Sequence, residues 1–258
     1  MSIEKSGPVS IEKSRFGGYM EEGKKISPIG YIRTDMPEKF GIPRQSGLVP
    51  ELYGELHFVK EFNTPDCVKG IEQFSHLWII WDFSANVWDG NMTVTPPRLG
   101  GKERVGVFAC RAPYRPNGLA LSLLKLHKVR YEEMPNGEHQ LSLLLSGVDM
   151  LDGSPVYDIK PYIPYAEAIA DARGGFADEH AADTIEVDFP KDLLEKISED
   201  KRNALLGILK NDPRAAYNKK EDYVYGLAYA DKDVRFVVSD GVLKVLDVVD
   251  RDLSDKIK

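Results

Sequence analysis

The sequence predicts a mainly β fold, an N-terminal antiparallel β-barrel followed by a small α+β unit. Three observations carry this expectation. Short runs rich in Ile, Val, Leu and aromatic residues recur from Ile26 onward and are divided by Pro and Gly. No strand–helix alternation of useful length appears over the first two thirds of the chain, which argues against a doubly wound parallel sheet. Near the end, one stretch of near-helical leucine spacing is followed by three alternating runs.

The elements follow in chain order. Residues 1–25 are polar and hold Ser-Ile-Glu-Lys-Ser twice, at 2–6 and 10–14. Two copies are too few for a repeat architecture, so this segment reads as a flexible tail. The barrel is expected over 26–170, from the strands "ISPIGYIRT", "GELHFV", "HLWIIWDF", "RVGVFACR", "LALSLLKLHKVRY" and "HQLSLLLSGVD". "EMPNGEH" (133–139) joins the last two as a hairpin loop, and "DCVKGIEQF" (66–74) reads as a short helix. Residues 171–188 read as a linker. The α+β unit is expected over 189–258. In it "FPKDLLEKISEDKRNALLGILKND" (189–212) is the helix, weakened late by Gly207. "YVYGLAYA", "VRFVVSD" and "VLKVLDVV" are its strands, with Asp240-Gly241 as a tight turn.

Composition narrows the functional class. At 258 residues, 42% hydrophobic and 29% charged, the chain suits a globular protein with a real core. No apolar run approaches 18 residues and the N-terminus lacks an apolar signal core, so no membrane partner is expected and a cytoplasmic location is. Cys67 and Cys110 form no CxxC pair and no Cys/His cluster, so no metal site is expected. The net charge of −7 argues against nucleic acid, but its distribution does not. Between Arg98 and Arg130 stand eight Arg and Lys residues against one acid, Glu103. Such a strip fits a phosphate-bearing partner. It fits equally well a set of charges solvating several strand faces.

Familiar catalytic signatures are missing. "GGKERVG" (100–106) lacks the Ser or Thr and the glycine spacing of a phosphate loop, and no GxGxxG or GxSxG occurs. His76, in "FSHLWIIW", reads more readily as a satisfied core histidine than as a base. What remains is three rigid polar insertions: "GIPRQSGLV" (41–49), "TPPRLGGKERVGVFACRAPYRPNGLALS" (95–122) and "SGVDMLDGSPVYDIKPY" (146–162). Proline lowers the entropy cost of holding a loop ready, and glycine lets a backbone approach closely. Arg44, Gln45, Arg111 and Asp149 supply donors and acceptors suited to an amino-acid-plus-ribose ligand.

Here the residues resemble a known family. "PRQSGLV", "GELHF", "FSHLWII", "PPRLGGKERVGVFACR", "RPNGLALS" and "LDGSPVYDIKPYIPYAE" closely resemble the TsaA/TrmO family, and "NDPRAAY" (211–217) resembles its C-terminal Asp-Pro-Arg-Pro-Ala-Tyr motif. Two departures stand out. The family usually reads Arg-Pro-Asn-Pro-Ile-Gly where Gly118, Leu119 and Ala120 follow Asn117 here. Ala215 replaces proline, and Asn218 stands where arginine is common.

The resemblance implies a β-barrel S-adenosylmethionine-dependent tRNA methyltransferase acting on N6 of threonylcarbamoyladenosine beside the anticodon, and a homodimer. It implies cofactor contacts at Pro43, Arg44 and Gln45, at Ser84 and Ala85, at Arg111, around Leu121, and at Ser146, Gly147, Val148 and Asp149. Tyr114, Arg115, Arg214 and Tyr217 are the expected RNA contacts. The acceptor nitrogen belongs to a urea-like group and needs its proton removed, for which Asp149, Asp152, Asp158 and Tyr162 are candidates. Two other classes share these residues: a non-catalytic S-adenosylmethionine- and RNA-binding module, and a methyltransferase for another substrate. Turnover of labelled cofactor and a substrate screen separate them.

Overall fold

Six antiparallel strands close into a barrel in this computed structural model, which describes residues 25–96, 103–180, 183–214, 220 and 223–251. The tail expected over 1–25 lies, apart from Lys25, outside the described residues, as do Arg98, Lys102 and Tyr217. The strands are β1 (Gly30–Thr34), β2 (Tyr53–Phe58), β3 (His76–Asp82), β6 (Leu119–Glu133), β7 (His139–Ser146) and β8 (Pro155–Pro161). Two short strands, β4 (Thr93–Val94) and β5 (Val105–Gly106), pair with each other in the long β3–β6 connection. Around the barrel the order is β1-β2-β7-β6-β3-β8, and β8 closes on β1 through Gly30 and Tyr31.

Alternation explains the inside of the barrel. Ile32, Leu56, Leu77, Ile79, Leu124, Leu141, Leu143, Leu145 and Val156 are fully buried, while their strand neighbours point outward. Ser122 takes one of these inward positions in an otherwise apolar series.

Two of the sequence expectations for the barrel fail for local reasons. "RVGVFACR" gives only the two residues of β5 and then a 3-10 turn, Val107–Ala109, with Phe108 exposed to solvent. Among the described residues only β4 pairs with it, and a run without partners does not extend as sheet. "DCVKGIEQF" forms two 3-10 turns, Pro65–Val68 and Ile71–Gln73, in place of one helix. Gly70 between them has φ +86, which no helix continues through.

The second half is an α+β unit. A short helix α1 (Pro164–Glu167) leaves the barrel, and β9 (Glu186–Asp188) follows within the stretch read as linker. β9 pairs parallel to β12 (Val242–Asp250) at the edge of a four-stranded sheet with β10 (Tyr225–Tyr229) and β11 (Lys232–Ser239). Asp240 and Gly241, both at positive φ, make the β11–β12 hairpin turn. The expected helix over 189–212 is two: α2 (Lys191–Leu194) and α3 (Glu199–Lys210). Ser198 is extended and starts α3, with Glu199 and Asp200 in its first turn, where acids favour the helix dipole.

The two halves share one core. The β1–β2 connection, residues 35–52, straps across the face of the second half. Met36, Val49 and Leu52 from the strap join Ala204, Leu205, Ile208 and Leu209 of α3 in a single buried cluster. Phe40 stacks on Tyr225 and Phe236, and Asp35 pairs with Lys201. Gly207 has its reason here. A Cβ on it would lie 2.8 Å from Val49 Cγ1, so the helix gives up propensity to let the strap approach.

Candidate functional site

The site forms where a strand loses its neighbour. β7 ends at Ser146, opposite Lys125, so among the described residues the first half of β6 is paired only with β3. Residues 43–47 and 146–149 lie along this open edge. Ser46 Oγ accepts the edge N–H of Leu123 at 3.1 Å, and Gly47 N–H donates to the Gly147 carbonyl at 2.8 Å. Leu121, two residues before Leu123, directs its backbone groups to the same side by the strand's period of two. Its side chain is 48% exposed, an apolar surface beside an open edge.

A buried relay ends at this edge. The Trp81 indole N–H donates to Ser122 Oγ at 2.9 Å, and Ser122 donates to Asp149 Oδ1 at 2.6 Å. A buried indole N–H needs an acceptor, and a serine pointing into the barrel supplies one while passing its own proton on. Burial pushes the Asp149 carboxyl up to about 6, and the bonds from Ser122 and the Ser46 N–H together with the Arg111 charge offset only part of that. Asp149 keeps some surface, yet its carboxyl is enclosed by these loops, so the desolvation dominates.

Arg111 is exposed and donates to Gln45 Oε1 at 2.7 Å, tying the second insertion to the first. Pro43 and Val148 are buried and support the loops, and Ser146 Oγ bonds His127 Nε2 at 2.8 Å. Ser84 and Ala85 form an exposed turn after β3, and Lys39 of the strap donates to the Ala85 carbonyl. Arg44 Nη2 donates to the carbonyls of Asp212 and Arg214 at 2.9 and 3.1 Å, joining the first insertion to the second half.

The four proton-acceptor candidates separate cleanly. Asp149 alone lies at the open edge. Asp152 accepts the Thr34 N–H at 3.1 Å and faces Arg33 at 3.7 Å, which is turn chemistry. Asp158 pairs with Lys160 at 3.0 Å, and Tyr162 meets the rings of His76 and Trp78. Both belong to the far end of the barrel, where Asp158, Phe58, Phe62 and Phe74 line a cavity of about 620 Å³. Trp81 and Ser122 escaped sequence reading because both sit inside apolar strand runs. The signal available was the serine in "LALSLL", a polar residue at an inward position.

The RNA candidates divide too. Tyr114 is 49% exposed. Arg115 is half-buried and spends one nitrogen on the Cys110 carbonyl at 3.0 Å. Arg214 is only 6% exposed and forks onto Asp212. Of the basic strip, Arg130 pairs with Glu55 at 3.0 Å, whereas Lys125 and Lys128 stand exposed on β6. Gly118 takes φ +64, a conformation closed to proline.

The donor set fits S-adenosylmethionine. A guanidinium suits its carboxylate, a buried carboxylate suits its cationic or hydroxyl-bearing part, and an open strand edge with an apolar side chain suits a purine. A closed barrel with these groups at one end belongs to the non-Rossmann methyltransferase class that the sequence resemblance implies. Comparison with known proteins gives the family. Residues 31–168 match the tRNA-methyltransferase O N-terminal domain and residues 182–251 match its C-terminal domain. The chain is 39% identical over 230 residues to the tRNA (adenine(37)-N6)-methyltransferase of Escherichia coli, covering 86% of this chain and 96% of that one. It is 42% identical over 151 residues to the Mus musculus protein of that name, covering 56% of this chain and 32% of that one. A crystal structure of TrmO from Pseudomonas aeruginosa superposes with a TM-score of 0.72 at 33% identity, covering 91% of this chain and all of that one. The chain belongs to the tRNA-methyltransferase O family.

Proposed function

We propose that this protein transfers a methyl group from S-adenosylmethionine to N6 of threonylcarbamoyladenosine at position 37 of tRNA, with Asp149 as the proton acceptor. The observation that carries the assignment is the Trp81–Ser122–Asp149 relay ending at the open edge of β6. The cofactor supplies an electrophilic methyl group on a sulfonium. Arg111, held by Gln45, would bind its carboxylate, and the β6 edge at Leu121 would receive the adenine. The incoming tRNA nitrogen shares its lone pair with a carbonyl and carries one proton. On methylation of that nitrogen Asp149 would take up its proton, so the product nitrogen is left neutral. A carboxylate of pKa about 6 is a stronger base than an ordinary aspartate and is still largely ionised at neutral pH. Ser122 holds the carboxylate in place, and loops 43–47 and 146–149 limit water around it.

Tyr114 offers a plane for an unstacked base, and Arg115, Lys125 and Lys128 offer charge for phosphate. The same reading includes a homodimer, supported by the exposed apolar Tyr31, Phe108, Leu119 and Leu121, and a cytoplasmic enzyme. No described helix is long and apolar enough to cross a membrane. Purified protein with labelled S-adenosylmethionine should methylate tRNA carrying threonylcarbamoyladenosine and leave the unmodified tRNA nearly untouched, read by nucleoside mass spectrometry. Equal labelling of both would sink the substrate assignment. Cofactor binding without labelling of either would favour a binding module.

A further inference from the structure

The Asp212-Pro213-Arg214 segment is built as a brace. Arg214 Nε and Nη2 donate to the two carboxylate oxygens of Asp212 at 2.8 and 3.0 Å, and the Arg214 N–H adds a bond of 3.3 Å. Both residues are buried, at 8% and 6% exposure, and Asp212 takes φ +48, a left-handed conformation that aspartate accepts more readily than most residues. An arginine neutralised and enclosed in this way is poorly placed to meet a phosphate. The segment also turns two carbonyls toward the first half of the chain. Both accept from Arg44 Nη2, at 2.9 and 3.1 Å, across more than 160 residues of chain.

Arg44 begins a short series of contacts that ends at the reacting groups. Gln45, next in the chain, receives Arg111. Ser46, the next again, bonds the β6 edge through its hydroxyl and Asp149 through its N–H. Asn211, just before the brace, reaches the Leu48 carbonyl at 3.5 Å on the other side of this loop. The second half therefore meets this loop at two points, and between them lie Gln45 and Ser46, which bond Arg111 and the β6 edge.

We propose that Asp212 and Arg214 are positioning residues: their ion pair fixes two carbonyls that hold Arg44, and through it the Gln45–Ser46 turn that shapes the S-adenosylmethionine pocket. The inference rests on the cofactor reading above. It makes the second half a structural part of the cofactor site, and it assigns to the Asp-Pro-Arg segment a duty other than contact with RNA. Arg44 has the same duty, holding its loop from behind.

Calorimetric titration of the full-length protein with S-adenosylmethionine tests this, using Arg44→Ala, Asp212→Ala, their double variant and Arg111→Ala. Each of the first two should weaken cofactor affinity by about tenfold, within the range for members of one hydrogen-bonded network. The double variant should be no weaker than the weaker single one, because both break the same link. KM for S-adenosylmethionine should rise while tRNA affinity, measured by gel shift without cofactor, stays within about twofold. If Asp212→Ala does not fold, Arg214→Lys keeps the charge but loses the fork, and should give a smaller loss of the same kind. Losses that multiply in the double variant would overturn the brace, as would weakened tRNA binding with cofactor affinity intact. Wild-type affinity in Arg111→Ala would instead remove the cofactor site itself, a failure distinct from that of the brace.

Discussion

The two ends of the barrel are built by the same strands and do opposite things. At one end β1 finishes, β2 starts and β6 begins with an unshared edge, and three loops bring a guanidinium, an amide and a buried carboxylate together. At the other end the chain's own 3-10 turns pack phenylalanines around a cavity, and the polar groups there pair with close neighbours in sequence. The site end is also the end gripped by the second half, through the strap and the 211–214 segment. A strand edge left open needs outside support to keep a fixed shape. The closed far end needs none.

The largest effect should come from taking that support away. Truncation after Ala182 would expose Met36, Val49 and Leu52, all buried in the shared core. Fully burying side chains of this size is worth about 1.5–3 kcal/mol each, so their loss consumes much of a typical stability. The truncated protein should lose cooperative thermal unfolding and cofactor binding together. A folded truncation with wild-type cofactor affinity would show that the two ends do not differ in this way.

A comparable test exchanges one carboxylate at each end. Asp149→Asn should lower the single-turnover rate by roughly 10²–10⁴, the usual worth of general base catalysis, while Asp158→Asn should stay within about twofold. Stability should move the other way. The Asp149 carboxyl lies near 6 in the fold against 3.8 as its reference, so ionising it penalises the folded state progressively as pH rises from about 4 to 6. At pH 7.5 the Asn variant should therefore be more stable by roughly 1–3 kcal/mol. Equal rate losses at both ends, or a destabilised Asp149→Asn protein, would count against the assignment.

The smallest expected change is a displacement of one pH limb. The single-turnover rate should rise with pH through about 6 as Asp149 loses its proton. Ser122 donates to that carboxylate and lowers its pKa, so Ser122→Ala should move the limb to higher pH with the plateau reduced only modestly. A limb left in place would mean that Ser122 does not govern the proton acceptor.

How much of this was legible in the sequence depended on how local each cause is. Strands β1, β2, β3, β6 and β7 declare themselves by alternation. The start of α3 is also written in Ser198, Glu199 and Asp200, although the leucine spacing runs on across it. "RVGVFACR" misled because apolar composition says nothing about whether a partner strand will be present. The candidate site is half legible. Arg111, Gln45 and Asp149 stand in loops rich in Pro and Gly and could be picked out by type. Asp149, Asp152, Asp158 and Tyr162 lie within one short stretch; β8 carries Asp158 and Tyr162 away from the candidate site, while Asp152 is engaged by Thr34 and Arg33. The direction of Arg44 depends on a contact with the distant Asp212 and Arg214, and no pattern within either segment announces it.

The strap has a consequence for heredity and for engineering. Residues 35–52 sit within the barrel's stretch of sequence but pack with the second half, so the seam between modules does not fall at the chain position where the two halves meet. A chimera joined near residue 182 would mate one parent's Val49 with the other parent's α3, where Gly207 leaves room for that side chain and little more. Functional hybrids should survive only when strap and second half come from the same parent. Change in either segment is accordingly constrained by the other, and the two would have to vary in concert.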